Sequence, residues 1–451
     1  MGKLFGTDGI RGIANVYPIT PEMVLRLGKA IAHYFRNKKG NGKTKIVIGK
    51  DTRLSGYMLE SALTSGICSM GADVLLVGPM PTPAIAHLTQ SLNADAGIVL
   101  SASHNPASDN GIKIFSRDGF KLADEAEKEI EKLVLSEEIK SDNVRGDMIG
   151  KAFRIDDARG RYIAFAKSTI KSNSLEGLKI VLDCANGAGY ALASVIFREL
   201  GADVFAFNDK PDGLNINFQC GALFPEIIQK KVKEKKADIG IALDGDADRA
   251  IVCDEKGKLV DGDFILAICG NYLKEKGKLK QDTIVATVMS NVGFGMAMKD
   301  RHINVIKTKV GDRHVVEEMR KGKYNLGGEQ SGHIVFLDYS TTGDGIITGL
   351  QLMNIMKKTG KKLSELAGIM KQFPQILLNL EVKEKKELEK MQNVMNKINE
   401  VEKKLGGQGR VLVRYSGTQN ICRVMVEGQD EKEIEKMASD IINEIKKEIG
   451  R

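Results

Sequence analysis

The chain has 451 residues, 42% hydrophobic and 28% charged, the composition of an ordinary globular protein too long for one core, so three or four domains are expected. Tryptophan is absent and aromatics make up 5%, which argues against platforms that stack bases or sugars. The net charge of +8 sits largely in lysine runs mixed with glutamate, such as 382-VKEKKELEK-390, which speaks against nucleic acid and leaves room for a basic cleft with an anionic substrate.

Short β-branched runs alternate with amphipathic helical stretches, the signature of α/β layers. The predicted strands of the first third are 45-KIVIGK-50, 72-ADVLLVG-78 and 97-GIVL-100. Those of the second are 178-LKIVLDC-184, 202-ADVFAF-207 and 239-IGIAL-243, and those of the third are 283-TIVATV-288, 303-INVIKT-308 and a weaker 324-YNLGG-328. The first two thirds overlay on each other: 94-ADAGIVLSAS-103 matches 237-ADIGIALDGD-246 position for position, which places Ser103 over Asp246. The third is too diverged to overlay by eye. The last part reads β-α-β-β-α, from 376-ILLNLEVK-383 through a helix near 385–404, strands 410-RVLVRY-415 and 421-ICRVMVEG-428, to a helix near 431–448. The expected architecture is three successive α/β/α-layered domains with mixed sheets and a C-terminal α+β domain. Its divisions are 1–154, 155–256, 257–372 and 373–451. The six cysteines (68, 184, 220, 253, 269, 422) form no C-x-x-C pair and read as small buried hydrophobes in a reducing compartment. With no long apolar run and no signal peptide, a cytoplasmic chain with no membrane partner is expected.

Ligands of α/β sheets bind beyond the carboxyl ends of the strands, and three polar clusters stand there. In 244-DGDADR-249, carboxylates at alternate positions converge on a hard cation if the loop curls, and an oxygen-only set suits Mg²⁺ or Ca²⁺. An EF-hand is excluded, because its sixth position is Arg249 where that turn requires glycine. Arg249 beside the carboxylates suggests a phosphate contact. In 101-SASHNP-106, a serine at a strand end sits where backbone N–H groups favour an anion, so Ser103 reads as a nucleophile or phosphate carrier, or else as part of a capped turn. His104 could orient it, and Lys113 is near enough in sequence to return to it. A serine esterase is disfavoured, since G-x-S-x-G is missing. In 327-GGEQSGH-333, Glu329, Gln330, Ser331 and His333 offer donors and acceptors that suit sugar hydroxyls or a polar turn. The hairpin 414-RYSGTQN-420 with Arg423 could cradle an anion, although it has no Walker A pattern. Glycine-arginine loops at 5-FGTDGIRG-12 and 49-GKDTRLSG-56 complete the set.

Taken in order, FGTDGIRG, GKDTRLSG, SASHNP, DGDADR, GGEQSGH and RYSGT resemble the α-D-phosphohexomutase family over the whole chain, and GEQSGH resembles its glucosamine branch. The resemblance implies a mutase that interconverts glucosamine 6-phosphate and glucosamine 1-phosphate through a phosphoserine enzyme and glucosamine 1,6-bisphosphate, supplying UDP-N-acetylglucosamine synthesis. The neighbouring possibility is phosphomannomutase/phosphoglucomutase activity. It implies Ser103 as the phosphoserine, and Asp244, Asp246 and Asp248 holding one Mg²⁺ together with it. Arg11, Lys113, Arg249 and His104 would serve the transferring phosphoryl group, with Lys113 as proton acceptor. Glu329, Ser331 and His333 would grip the sugar, and Arg414, Ser416, Gly417 and Thr418 the phosphate that does not react. The partner implied is a small sugar phosphate, bound by a monomer or homodimer. The chain departs from the family pattern at Gln419-Asn420, Tyr415 and His314.

Overall fold

A computed structural model describes residues 4–6, 8–39, 42–136, 139, 144–171, 174–415 and 420–450. Contacts divide the chain into two compact units, residues 1–289 with 303–369, and residues 290–302 with 370–451.

The first unit holds three sheets. The first comprises β1 (Ile10–Ile13), β2 (Lys45–Lys50), β3 (Asp73–Pro79), β4 (Ala96–Leu100), β5 (Asp109–Ser116) and β6 (Ala152–Arg154), in the order β1-β5-β4-β2-β3-β6. The second comprises β7 (Lys179–Asp183), β8 (Asp203–Phe207), β9 (Ile239–Leu243), β10 (Ala250–Asp254) and β11 (Leu259–Val260), ordered β11-β10-β9-β7-β8. The third comprises β12 (Thr283–Thr287), β13 (Asn304–Thr308), β14 (Leu326–Gly328) and β15 (Ile334–Phe336), ordered β13-β12-β14-β15.

All three share one core. A central strand (β4, β9, β14) runs parallel to an earlier strand (β2, β7, β12), which has a further parallel neighbour (β3, β8, β13). The central strand then hairpins into an antiparallel return strand (β5, β10, β15). The third segment, too diverged to overlay by sequence, therefore repeats the same topology. The sheets are mixed, as expected. The central runs AGIVL and IGIAL are buried at every position, because helices cover both faces of the parallel part and leave no polar face to alternate. The second sheet ends on Leu259–Val260, beyond residue 256.

In the second unit, β16 (Gln375–Glu381), β17 (Arg410–Tyr415) and β18 (Ile421–Glu427) form an antiparallel sheet ordered β16-β18-β17. Helices Gln392–Leu405 and Glu431–Ile449 lay apolar stripes, including Val394, Val401, Ile434, Ile441 and Ile445, into its core. Helix Val292–Asp300 clusters with this unit, although its sequence lies inside the third segment. The buried Glu427 explains the attachment. It accepts from the Val292 N–H at 2.8 Å and pairs with Arg410 at 2.7 Å, while Asn291 exchanges two 3.0 Å bonds with the Phe373 backbone.

Candidate active site

The loop from β4 to β5 carries Ser103 in a left-handed conformation, φ 52°, which costs energy for a residue with a Cβ and needs external support. Arg53 supplies it. This guanidinium is fully buried and paired with Asp51 at 2.8 Å. It donates to the carbonyls of Ser103 (3.0 Å), Asn105 (2.8 Å) and Asp109 (3.0 Å), and also to that of Pro106. Asn217, from the second segment, donates to the Ser103 carbonyl at 2.8 Å. Ser101 accepts from the Ser103 N–H at 2.9 Å and donates to Asp51 at 2.6 Å. Thus the arginine of GKDTRLSG is a scaffold for the serine loop. Ser103 Oγ is aimed at Asp244 Oδ2, 2.8 Å away.

Asp244, Asp246 and Asp248 occupy the equivalent loop, between β9 and β10. All three are buried, and one oxygen from each lies within 4.8 Å of the others. The loop is gripped through its backbone, its carbonyls accepting from Ala188 N (Gly245, 2.7 Å), Thr82 N (Asp246, 2.9 Å) and Gly345 N (Ala247, 3.0 Å). Gly187 makes the first approach possible, since a Cβ there would meet the Gly245 carbonyl at 2.4 Å. Burial, then the charges of Asp248 and Asp246, push the Asp244 carboxyl well above the ordinary range. Burial has the same tendency at Asp248, but Lys113, His333 and Arg249 together outweigh it and hold that group well below the range. Asp246 Oδ1 and Asp248 Oδ1 are buried with no hydrogen-bond partner. An orphaned buried acceptor costs about 1–3 kcal/mol. Two of them side by side among three carboxylates fit a hard cation, which would satisfy both at once.

Three cations, Lys113, Arg11 and Arg249, face this cluster, and a fourth, Lys121, stands beyond Asp8. Lys113, buried on β5, places Nζ 2.8 Å from Asp246 and 3.6 Å from both Asp248 and Asp8. Burial favours a neutral amine, yet the carboxylates, Asp246 foremost, outweigh it and hold Lys113 as an ammonium. Arg11 pairs with Asp8 and approaches the Ala102 carbonyl at 3.4 Å. The Arg249 backbone N–H reaches Asp244 Oδ1 at 3.2 Å, with Nε 3.8 Å from Asp248. The Nε groups of Arg11 and Arg249 are buried donors without hydrogen-bond partners. Lys121 pairs with both Asp8 and Asp312. His104 Nδ1 lies 3.3 Å from Ser103 Oγ, and burial, then Arg249 and Arg11, pull its pKa down to about 4, so the ring is neutral near pH 7.

The loop between β14 and β15 holds Glu329, Ser331 and His333. Glu329 Oε1 accepts from Gly311 N at 3.0 Å and Oε2 from the Ser331 hydroxyl at 3.3 Å. His333 is buried. Its Nε2 accepts from Gly343 N at 3.0 Å and its Nδ1 stands 3.6 Å from Asp248, so both ring nitrogens face protein groups. The structure therefore brings Ser103, Lys113, Arg11, Arg249, His104 and the three aspartates together, with His333 reaching the cluster from the third loop. In the second unit Arg414 lies on β17 directly across from Arg423 on β18. Burial and Arg423 lower its pKa. Ser416, Gly417, Thr418 and Gln419 lie outside the described residues. Tyr415 donates to the Lys386 carbonyl at 2.6 Å, and His314 lies on helix Asp312–Gly322, 3.9 Å from Glu317. Sequence reasoning quoted Asp8 inside a motif without a role and missed Lys121, Asn217 and Thr82. The signal for Thr82 was slight, a hydroxyl between two prolines at the start of a helix.

Among the described residues no helix is long and apolar enough to cross a membrane. The chain matches phosphoglucomutase/phosphomannomutase alpha/beta/alpha domains I, II and III over residues 2–141, 160–257 and 261–373, and the C-terminal domain over 377–444. It is 58% identical over 451 residues, 100% of this chain and 99% of the relative, to the phosphoglucosamine mutase of Citrifermentans bemidjiense. It has the fold of a phosphoglucomutase/phosphomannomutase family protein from Burkholderia thailandensis, with TM-score 0.82, 23% identity and coverage of 98% and 97% of the two chains. It also has that of Aspergillus fumigatus N-acetylphosphoglucosamine mutase in complex with GlcNAc-6P and magnesium, with TM-score 0.68, 18% identity and coverage of 98% and 95%. Four matched domains in order and this identity along the whole length establish that the chain belongs to the phosphoglucomutase/phosphomannomutase family of α-D-phosphohexomutases.

Proposed function

We infer that the protein is an isomerase that interconverts glucosamine 6-phosphate and glucosamine 1-phosphate. The observation that carries the chemistry is the Ser103 hydroxyl, 2.8 Å from Asp244 in a loop of three buried carboxylates ringed by cations. The substrate follows from relatives named phosphoglucosamine mutase, 55–58% identical over the full length.

Ser103 carries the phosphoryl group. In the first transfer the bond from phosphorus to Ser103 Oγ breaks and a bond to a sugar hydroxyl forms, giving the 1,6-bisphosphate. The attacking hydroxyl gives up its proton and Ser103 regains one. In the second transfer the opposite phosphate returns to Ser103. Such transfers need positioning and charge neutralisation more than covalent help. The unpartnered Nε donors of Arg11 and Arg249 point to phosphoryl oxygens as their occupants. Lys113 is assigned as a fixed cation, because the carboxylates around it oppose its loss of a proton. Asp244, Asp246 and Asp248, with the phosphorylated Ser103, would hold Mg²⁺, whose chemistry is to neutralise charge on the transferring group. Glu329 and Ser331 take the sugar hydroxyls, and His333 holds Asp248 from behind. Arg414 with residues 416–418 takes the phosphate that does not react. Two arginines opposed across a hairpin repel unless an anion lies between them, which supports that assignment.

The test is phosphorus NMR of glucosamine 6-phosphate with the protein, Mg²⁺ and a trace of the 1,6-bisphosphate, with the mannose and glucose compounds in parallel. A 1-phosphate resonance growing fastest from the amino sugar is expected. Faster conversion of mannose or glucose would keep the mechanism and overturn the substrate, and inorganic phosphate alone would make the protein a hydrolase.

A further inference from the structure

Thr82 begins helix Thr82–Ser91 between Pro81 and Pro83, and no motif of the sequence includes it. Both of its donors are directed at one residue, 164 positions away. The backbone N–H reaches the Asp246 carbonyl at 2.9 Å, and the hydroxyl reaches Asp246 Oδ2 at 2.6 Å. Both residues are fully buried. Lys113 donates to the same oxygen at 2.8 Å. The two oxygens of Asp246 are therefore unlike. Oδ2 is saturated by a hydroxyl and an ammonium, whereas Oδ1 is buried without a partner, in the cluster where Asp244 and Asp248 converge. A carboxylate turns easily about its terminal torsion. The hydroxyl pins that torsion, while the backbone bond only tethers the loop.

We propose that Thr82 is a positioning residue for the metal centre, its hydroxyl locking Asp246 so that Oδ1 is the oxygen offered to the cation. This rests on the reading of the three aspartates as a divalent-cation site. Groups that orient a ligand from behind commonly contribute about 10–100-fold in metal affinity. The geometry separates this role from helix anchoring, because Thr82→Val keeps the backbone N–H and the side-chain shape and deletes only the hydroxyl.

The experiment measures Mn²⁺ binding to the full-length protein by electron paramagnetic resonance, together with the Mg²⁺ concentration that half-activates turnover. For Thr82→Val both constants are expected to rise about 10–100-fold, and for Thr82→Ser by less than about threefold. The KM for the sugar phosphate at saturating Mg²⁺ stays within about threefold of wild type, which a general loosening of the site would not allow. Wild-type affinity in Thr82→Val would overturn the proposal, as would equal losses in the Val and Ser variants. If Thr82→Val does not fold, Thr82→Ala against Thr82→Ser makes the same comparison. Wild-type protein that binds no Mn²⁺ would overturn the metal site itself, and the proposal with it.

Discussion

The Ser103 loop and the aspartate loop occupy the same place in two sheets and do opposite things. Each leaves a buried central strand and returns antiparallel, closing on the pairs Leu100–Ile112 and Leu243–Ala250. Each contains a left-handed residue, Ser103 at φ 52° and Ala247 at φ 56°. One presents a single hydroxyl and the other three carboxylates. Their supports differ accordingly. The serine loop offers carbonyls, and a buried guanidinium with an amide holds them. The acidic loop offers carbonyls to the N–H groups of Ala188, Thr82 and Gly345, and adds carboxylate oxygens, which an ammonium, a threonine hydroxyl and the Arg249 N–H hold. The strand frame thus fixes where the loop stands, and the side chains sent in from other segments fix which chemistry it can bear.

Removing the one atom that distinguishes the serine loop should have the largest effect. Ser103→Ala is expected to lower turnover about 10⁴-fold or more, measured with the bisphosphate supplied, while Mn²⁺ binding persists because the three aspartates remain. Near-normal turnover would reduce the serine loop to a turn. Next comes its support. Arg53→Met leaves Asp51 as a buried carboxylate without its ion-pair partner and removes one donor from each of four carbonyls, two of which keep Asn217. A loss of about 3–5 kcal/mol in urea unfolding is expected, and a loss under 1 kcal/mol would show that Asn217 and Ser101 suffice.

A buried carboxyl outside both loops sharpens the contrast. Asp344 caps helix Gly345–Thr359, accepting from Ile346 N and Ile347 N at 3.0 and 2.9 Å and from Tyr162 Oη at 2.7 Å. Burial outweighs these bonds and pushes it up to about 6. A carboxyl raised on folding is held protonated by the native state, so its contribution falls as pH climbs from the ordinary carboxylate value to about 6, and is level above. Asp344→Asn should flatten the stability profile between about pH 4 and 6, by roughly 2 kcal/mol at most. Urea melts at the two ends of that window check it. An unchanged slope would assign the pH response to the acidic loop.

Much of this was legible in the sequence, and what was missed has a physical pattern. The sequence reading of strands 45–50 and 239–243 matches to the residue, because continuous apolar runs mark strands buried on both faces, and that of 410–415 matches equally, although this edge strand is half-buried along its length. The return strands Asp109–Ser116, Ala250–Asp254 and Ile334–Phe336 escaped, since each follows a loop whose polar residues draw attention from it. The third repeat hid because its central strand is three residues long and two are glycine. The serine and the aspartates were readable because their spacing is local. Thr82, Arg53 and Asn217 were not, because their partners lie 164, 50 and 114 positions away. The histidine of GGEQSGH looked like a sugar contact, and only packing shows both ring nitrogens facing protein.

The smallest effect moves the acidic loop one step toward its neutral counterpart. Asp244 follows β9 as Ser101 follows β4, and it carries the carboxyl that burial and its neighbours push up most plainly. By the same sign as Asp344, ionising it costs the metal-free fold stability as pH rises. A bound cation relieves that cost, because it replaces the proton as counter-charge. Asp244→Asn should therefore raise the metal-free melting temperature, by the equivalent of roughly 1 kcal/mol, and lose most of the further rise that Mg²⁺ gives wild type. Turnover falls in the same protein, so the variant gains stability where it loses function. If its metal-free melting temperature dropped, the Ser103 and Arg249 bonds to Asp244 would outweigh the repulsion, and the acidic loop would be a structural turn held together by its hydrogen bonds.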